Sequence, residues 1–217
     1  MYTDPISLGV LEAPANYGAT ICVGDLHGLG LHLNFGGGQA GFIASHDDMR
    51  YITEFKELVD GMVETTVPGE QGYSVVLIER THYAMRENGK EFTGTQNNLW
   101  TAPVAVYLSL MGPKGMEEIG HTIMTNAKYA AKKLAGIPGV SLRFPSVFFK
   151  EFVVNFDKTG KTVEEINQLL LSRQIFGGVD LSRDYPELGQ SALYCVTETA
   201  DKESIDRLAG ALQAILN

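Results

Sequence analysis

GMEEIGHTIMTNAKYAAKKLAGIPGVSLRFP, residues 115 to 145, is the stretch on which the fold turns. Met116, Ile119, Ile123, Ala127, Ala131 and Leu134 recur at helical spacing and make one apolar stripe. Lys132 and Lys133 sit in the last turn, where cations meet unpaired carbonyls, and Gly136 with Pro138-Gly139 ends the helix. Val140 to Phe144 and Glu151 to Phe156 then read as strands. Thr162-Val-Glu-Glu165 is a capping box, so a helix opens there and runs to about Leu171. Ala192 to Val196 is a third strand, and Asp201 caps a last helix that turns Ile205, Leu208, Leu212 and Ile215 inward. The order α-β-β-α-β-α predicts a small sheet covered by helices on one face.

Upstream, Trp100, Val104, Tyr107, Leu108 and Met111 share one helical face, although Pro103 belongs in a first turn. The texture changes near residue 100. We therefore expect residues 1–99 to be a partial large domain with glycine-rich loops and residues 100–217 to be a small α/β domain. Asp4-Pro5 suits a helix start, and Thr20 to Val23 reads as a short strand. The run GDLHGLGLHLNFGGGQAG (24–41) reads as irregular backbone. Tyr73 to Ile78 is β-branched and almost continuously apolar, as expected of a strand covered on both faces. Residues 1–98 supply few elements to cover it, so an apolar surface should bury itself against a second copy or a partner, giving a homo- or hetero-oligomer.

The 217 residues carry 17 Lys+Arg against 26 Asp+Glu, a net charge of −9, with 44% hydrophobic and 20% charged residues. That balance is globular, and its acidity argues against nucleic-acid binding and against adhesion to anionic membranes. No apolar run approaches the ~18 residues of a spanning helix, and the N-terminus lacks the basic region of a signal peptide. Cys22 and Cys195, each in an apolar stretch, read as buried reduced thiols of a cytoplasmic protein.

Asp25, His27, His32, His46, Asp47 and Asp48 fit no tight metal-ligand spacing, and no metal site is assigned. A serine-hydrolase elbow is missing, and mid-strand cysteines make poor nucleophiles, so no catalytic residue is assigned either. The glycine run either cradles a phosphate through backbone donors or merely allows tight turns. Arg80, Arg86 and Glu87 form either an anion site or a solvated ion pair. Thr93-Gly94-Thr95-Gln96-Asn97-Asn98 places hydroxyl and amide groups directly before a helix N-terminus, suited to an anion or to ordinary capping.

FFKEFVVNF (148–156), LLSRQIFGGVDLSRDYPELGQSALYCVTE (170–198) and DKESIDRL (201–208) resemble the glycine cleavage system P-protein, in particular subunit 1 of the two-subunit glycine decarboxylase. AVYLSLMGPKGMEEI (105–119), DPISLGVLEAPANYGATICVGD (4–25) and FGGGQAGFIA (35–44) extend the resemblance over nearly the whole chain. It implies the C-terminal part of a type I pyridoxal-phosphate-enzyme-like fold, a partial large domain plus a small α/β domain. In catalytic relatives a lysine follows a histidine just ahead of the glycine loop and forms a Schiff base with the cofactor. The matching pair here is His32-Leu33, and the nearest downstream lysine is Lys56. The resemblance thus implies that no cofactor binds this chain covalently and that the isolated chain is inactive. Pyridoxal phosphate would be held by a lysine-bearing subunit 2, with the lipoyl H-protein receiving the aminomethyl group of glycine. Thr95, Asn97 and Arg86 are the candidates to reach the partner's cofactor, although NGKEFTG (88–94) departs from the family's Lys-Ala-Thr-Ser-Asn-like run. Because Met1 falls where the family's large domain is half built, the chain is expected to be a fragment or a naturally split subunit. The alternatives are a catalytically silent scaffold and a glycine-loop phosphate-ester binder.

Overall fold

The computed structural model describes residues 1–31, 33, 39–56, 58–90 and 97–217. The chain forms two compact units, Met1–Pro113 and Lys114–Asn217.

In the first unit Asp4 caps not an α-helix but a 3-10 turn, Pro5–Gly9, accepting the Ile6 N–H at 2.9 Å. Strand β1 (Ile21–Asp25) pairs antiparallel with β2 (Gly41–Ser45), from Ile21↔Ser45 to Asp25↔Gly41. Residues 1–3 run parallel beside β1: Thr3 donates to the Val23 carbonyl and Val23 to that of Met1, both at 2.8 Å. Gly24 has to be glycine, since a Cβ there would lie 2.5 Å from the Phe42 ring. A short helix α1 (Met49–Ile52), capped by Asp48, precedes a second antiparallel ribbon, β3 (Val59–Glu64) with β4 (Gln71–Val76).

The reading of 73–78 as a strand covered on both faces is corrected here. Its first residues are β4, whose only strand neighbour among the described residues is β3, and Tyr73 is 83% exposed. The strand ends at Val76, and Leu77 turns the chain in the left-handed region at φ 54. β-branched side chains favour the extended backbone, but within this chain nothing described covers both faces.

Helix α2 (Asn98–Ala135) is broken at Gly112, whose φ of 59 and ψ of 179 are open only to glycine, with Pro113 starting the continuation. The break falls between the stripe that ends at Met111 and the one that opens at Met116.

The second unit is a four-stranded antiparallel sheet in the order β5-β6-β8-β7: β5 Ser141–Leu142, β6 Glu151–Asn155, β7 Val179–Asp180 and β8 Ser191–Cys195. Helices α3 (Val163–Leu171) and α4 (Lys202–Leu216) join the end of α2 over the core. Alternation along β6 and β8 buries Phe152, Val154, Ala192 and Tyr194 with Ala127, Leu134, Ile166, Leu170 and Leu212. The capping box forms as read: the Thr162 N–H donates to Glu165 Oε2 at 2.8 Å and the Glu165 N–H to Thr162 Oγ1 at 3.2 Å. Asp201 accepts the Ser204 N–H at 2.8 Å and caps α4. The structure adds β7 to the expected order, an edge strand of two residues. It also corrects the thiols, for Cys22 is half-buried and Cys195, at the end of β8, is exposed. Among the described residues no helix is long and apolar enough to cross a membrane.

Candidate functional site

The turn after β1 is built around Asp25. One carboxylate oxygen accepts the His27 N–H at 3.1 Å, and the other accepts the Tyr2 hydroxyl at 2.5 Å. Leu26 donates to the Ala40 carbonyl at 2.9 Å, fastening this turn to the entry of β2. Leu29 and Leu31 are buried and anchor the far end of the turn. Between these elements lies a cavity of about 540 Å³ lined by Asp25, His27, Gln39, Ala40, Gly41 and Asn97.

His27 Nε2 is fully buried and has no hydrogen-bond partner among the described residues. Leaving such an atom unpaired costs about 1–3 kcal/mol, and polar atoms of this kind concentrate where a ligand or a partner supplies the missing bond. The Gln39 and Asn97 amides add neutral donors and acceptors to the same wall. Asn97 stands at the head of α2, where its carbonyl accepts the Trp100 N–H at 3.0 Å. The only charged group lining the cavity among the described residues is the Asp25 carboxylate.

Of the candidates read from sequence, Asn97 lies in this wall and Thr95 lies outside the described residues. Arg86 is exposed in the 3-10 turn Arg86–Asn88 and does not line the cavity. Its neighbour in the sequence reading, Arg80, is buried and donates to the Thr53 carbonyl at 3.2 Å, so it ties two loops together. Asp48 pairs with Arg50 at 2.6 Å beside its helix cap. Among the described residues no three His, Cys, Asp or Glu side chains converge as metal ligands do.

A second cleft of similar volume lies between the end of α2 and α4 in the other unit. There the Asp206 carboxylate accepts the Tyr129 hydroxyl at 2.6 Å and pairs with Lys133 at 2.8 Å and Lys202 at 2.6 Å. Lys133, Lys202 and Tyr129, in that order, hold its carboxyl well below the usual range. These groups satisfy one another, which leaves the first cavity as the candidate site.

The fold is that of the C-terminal part of type I pyridoxal-phosphate enzymes, with the helix-covered antiparallel sheet as its small α/β domain. A C-DES variant with glycine covalently linked to its PLP cofactor superposes with a TM-score of 0.56 at 19% identity, over 92% of this chain and 47% of that one. A crystal structure of glycine decarboxylase (P-protein) of the glycine cleavage system, in inhibitor-bound form, matches more fully. Its TM-score is 0.87 at 31% identity, over 99% of this chain and 47% of that one. Residues 1–212 match the glycine cleavage system P-protein family, and the chain belongs to it. The probable glycine dehydrogenase (decarboxylating) subunit 1 of Desulfitobacterium hafniense is 37% identical over 215 residues, 99% of this chain and 47% of that protein. The chain thus spans about half the length of its curated relatives.

The fold family works with pyridoxal phosphate, and the cavity fits that group only in part. No lysine lines it among the described residues, and Leu33 is an 84% exposed alkyl chain with no amine. His27, Gln39 and Asn97 can hydrogen-bond a polar group held from elsewhere, but this wall offers no covalent anchor. Sequence reading weighed His27 only as a metal ligand and missed Gln39. Their shared signal is the β1–β2 pairing, which sets 25–27 against 39–41.

Proposed function

We propose that this chain is part of subunit 1 of a cytoplasmic glycine dehydrogenase (decarboxylating). In that assembly a lysine-bearing subunit 2 holds the cofactor, and the aminomethyl group left from glycine passes to the lipoyl arm of the H-protein. When bound, pyridoxal phosphate supplies the electron sink for loss of CO2. This chain contributes wall, orientation and neutral hydrogen bonds. The observation that carries the reading is similarity to a subunit 1 over 99% of this chain and 47% of that protein, joined to a cavity without lysine among its described residues. The chain should co-purify with the lysine-bearing subunit of its own genome, and only that complex should release CO2 from glycine in the presence of lipoyl H-protein. A complex that forms and is silent would favour the scaffold reading. Specific binding of a phosphate ester by the chain alone would favour the phosphate binder.

Within this reading Thr95, Asn97 and Arg86 are the residues proposed to reach the partner's cofactor, the first two preceding α2 in the sequence. A neutral side-chain donor contributes about 0.5–1.5 kcal/mol, and the helix N-terminus adds backbone donors of favourable dipole sign. Thr95→Ala with Asn97→Ala should weaken cofactor affinity of the complex about two- to tenfold. Titration of the complex with pyridoxal phosphate reads this, and unchanged affinity would leave these residues to helix capping alone.

A further inference from the structure

Asn88 is the one asparagine of the sequence that is followed by glycine. The backbone nitrogen after an asparagine can reach the side-chain amide carbon and close a five-membered ring. A Cβ on the following residue hinders that approach, and glycine has none. The two residues are held differently. A Cβ at Gly89 would lie 3.2 Å from His82 Cβ and 3.3 Å from the Arg86 carbonyl oxygen, so packing favours glycine there. Asn88 is exposed in the 3-10 turn Arg86–Asn88, and its side-chain amide meets the Met85 sulfur at 3.9 Å.

The turn also leaves the attacking atom loosely bound. The Asn88 N–H donates to the Met85 carbonyl at 2.8 Å, whereas the Gly89 N–H donates to the Arg86 carbonyl at 3.3 Å. The second distance lies beyond the usual range of about 2.7–3.2 Å, so little is lost when the Gly89 nitrogen turns away. Lys90 is fixed by its N–H on the Arg80 carbonyl at 2.8 Å and by an ion pair with Glu54 at 3.0 Å. The freedom is therefore local to the peptide unit between 88 and 89.

We infer that Asn88 is a site of spontaneous deamidation in the folded chain, with water as the co-reactant. The Gly89 nitrogen gives its proton to hydroxide and bonds to Cγ of Asn88. The Cγ–Nδ2 bond breaks, and Nδ2 leaves as ammonia after taking a proton from water. Water then opens the ring: addition at Cγ gives aspartate, and addition at the main-chain carbonyl gives isoaspartate, whose chain runs through Cβ and Cγ. Either product adds a negative charge beside Glu87 and two residues from Arg86. Where Arg86 reaches the partner's cofactor as proposed, the new carboxylate offsets its charge, and this consequence alone rests on the proposed function.

The intact chain, without cofactor or partner, is incubated in mildly alkaline buffer and each asparagine is followed by peptide mass mapping. Asn88 should convert at least about tenfold faster than Asn16 and Asn98, which are exposed too but precede Tyr17 and Leu99. It should give two products of equal mass, aspartate and isoaspartate, at a rate that climbs with pH. The folded chain should react within about tenfold of the same chain unfolded in urea, because the turn barely holds the nitrogen. Three results would overturn the inference: conversion in urea with none in the folded chain, an equal pace at Asn16 and Asn98, or aspartate alone, the mark of direct hydrolysis without a ring. None of these readouts involves decarboxylation, so a failure here is separate from a failure of the subunit reading.

Discussion

Phe156→Ala should bring the second unit close to unfolding at room temperature. Phe156 is fully buried, and its backbone N–H donates to the Gln190 carbonyl at 2.7 Å, so the residue ties β6 to the turn before β8. Its ring lies within the cluster made by α2, α3, α4 and the sheet. Truncating a buried phenylalanine costs about 3–5 kcal/mol in lost transfer energy and cavity formation, against a domain stability of about 5–15 kcal/mol. Phe176→Ala is the control, because that ring is 90% exposed and its loss should stay within about 0.5 kcal/mol. Urea titration followed by far-ultraviolet circular dichroism compares the two. Equal midpoints would mean that the ring at 156 is not in the core.

Borohydride reduction with pyridoxal phosphate should leave no specific pyridoxyl-lysine in this chain and a stoichiometric one in the lysine-bearing subunit of the complex. The expected contrast is all or none. A Schiff base needs an amine at the carbonyl carbon, and Leu33 offers an alkyl chain where the resemblance places that amine. Lys56 lies beyond the glycine loop, and the cavity wall contains no lysine among the described residues. Peptide mass mapping after reduction locates any adduct. One lysine of this chain labelled to stoichiometry would make it a cofactor-holding subunit and would reverse the assignment of roles.

The second unit was legible in the sequence because its signals are local. Thr162 and Glu165 form their reciprocal bonds within one turn, Asp201 caps within one turn, and the stripes from Ile123 to Leu134 and from Ile205 to Ile215 need only helical spacing. The strand β7 escaped because Val179 and Asp180 are too few to show alternation. The first unit was harder to read. β3 contains Gly61, whose absent Cβ lets Val76 of β4 approach within 2.8 Å of that position, and no property of residues 59–64 alone announces that pairing. Of the site, Asn97 could be read because polar residues cluster ahead of a helix. His27 and Gln39 could not, since a cavity wall assembled by the pairing of Asp25 with Gly41 is a property of the fold and not of either segment.

The lengths of the outer strands also set how each unit behaves before its partners arrive. The sheet of the second unit ends on β5 and β7, each two residues long, so it presents almost no backbone on which a foreign strand can template. In the first unit β1 is covered on its outer side by residues 1–3, but among the described residues β2, β3 and β4, of five and six residues, have no second strand neighbour and are long enough to recruit another chain edge to edge. Chains without their partners should therefore clump through β2, β3 and β4 while the second unit keeps its shape. Ordered aggregates of the lone polypeptide would then carry a cross-β spine drawn from its N-terminal part, with the helices of the C-terminal part hanging intact from its sides.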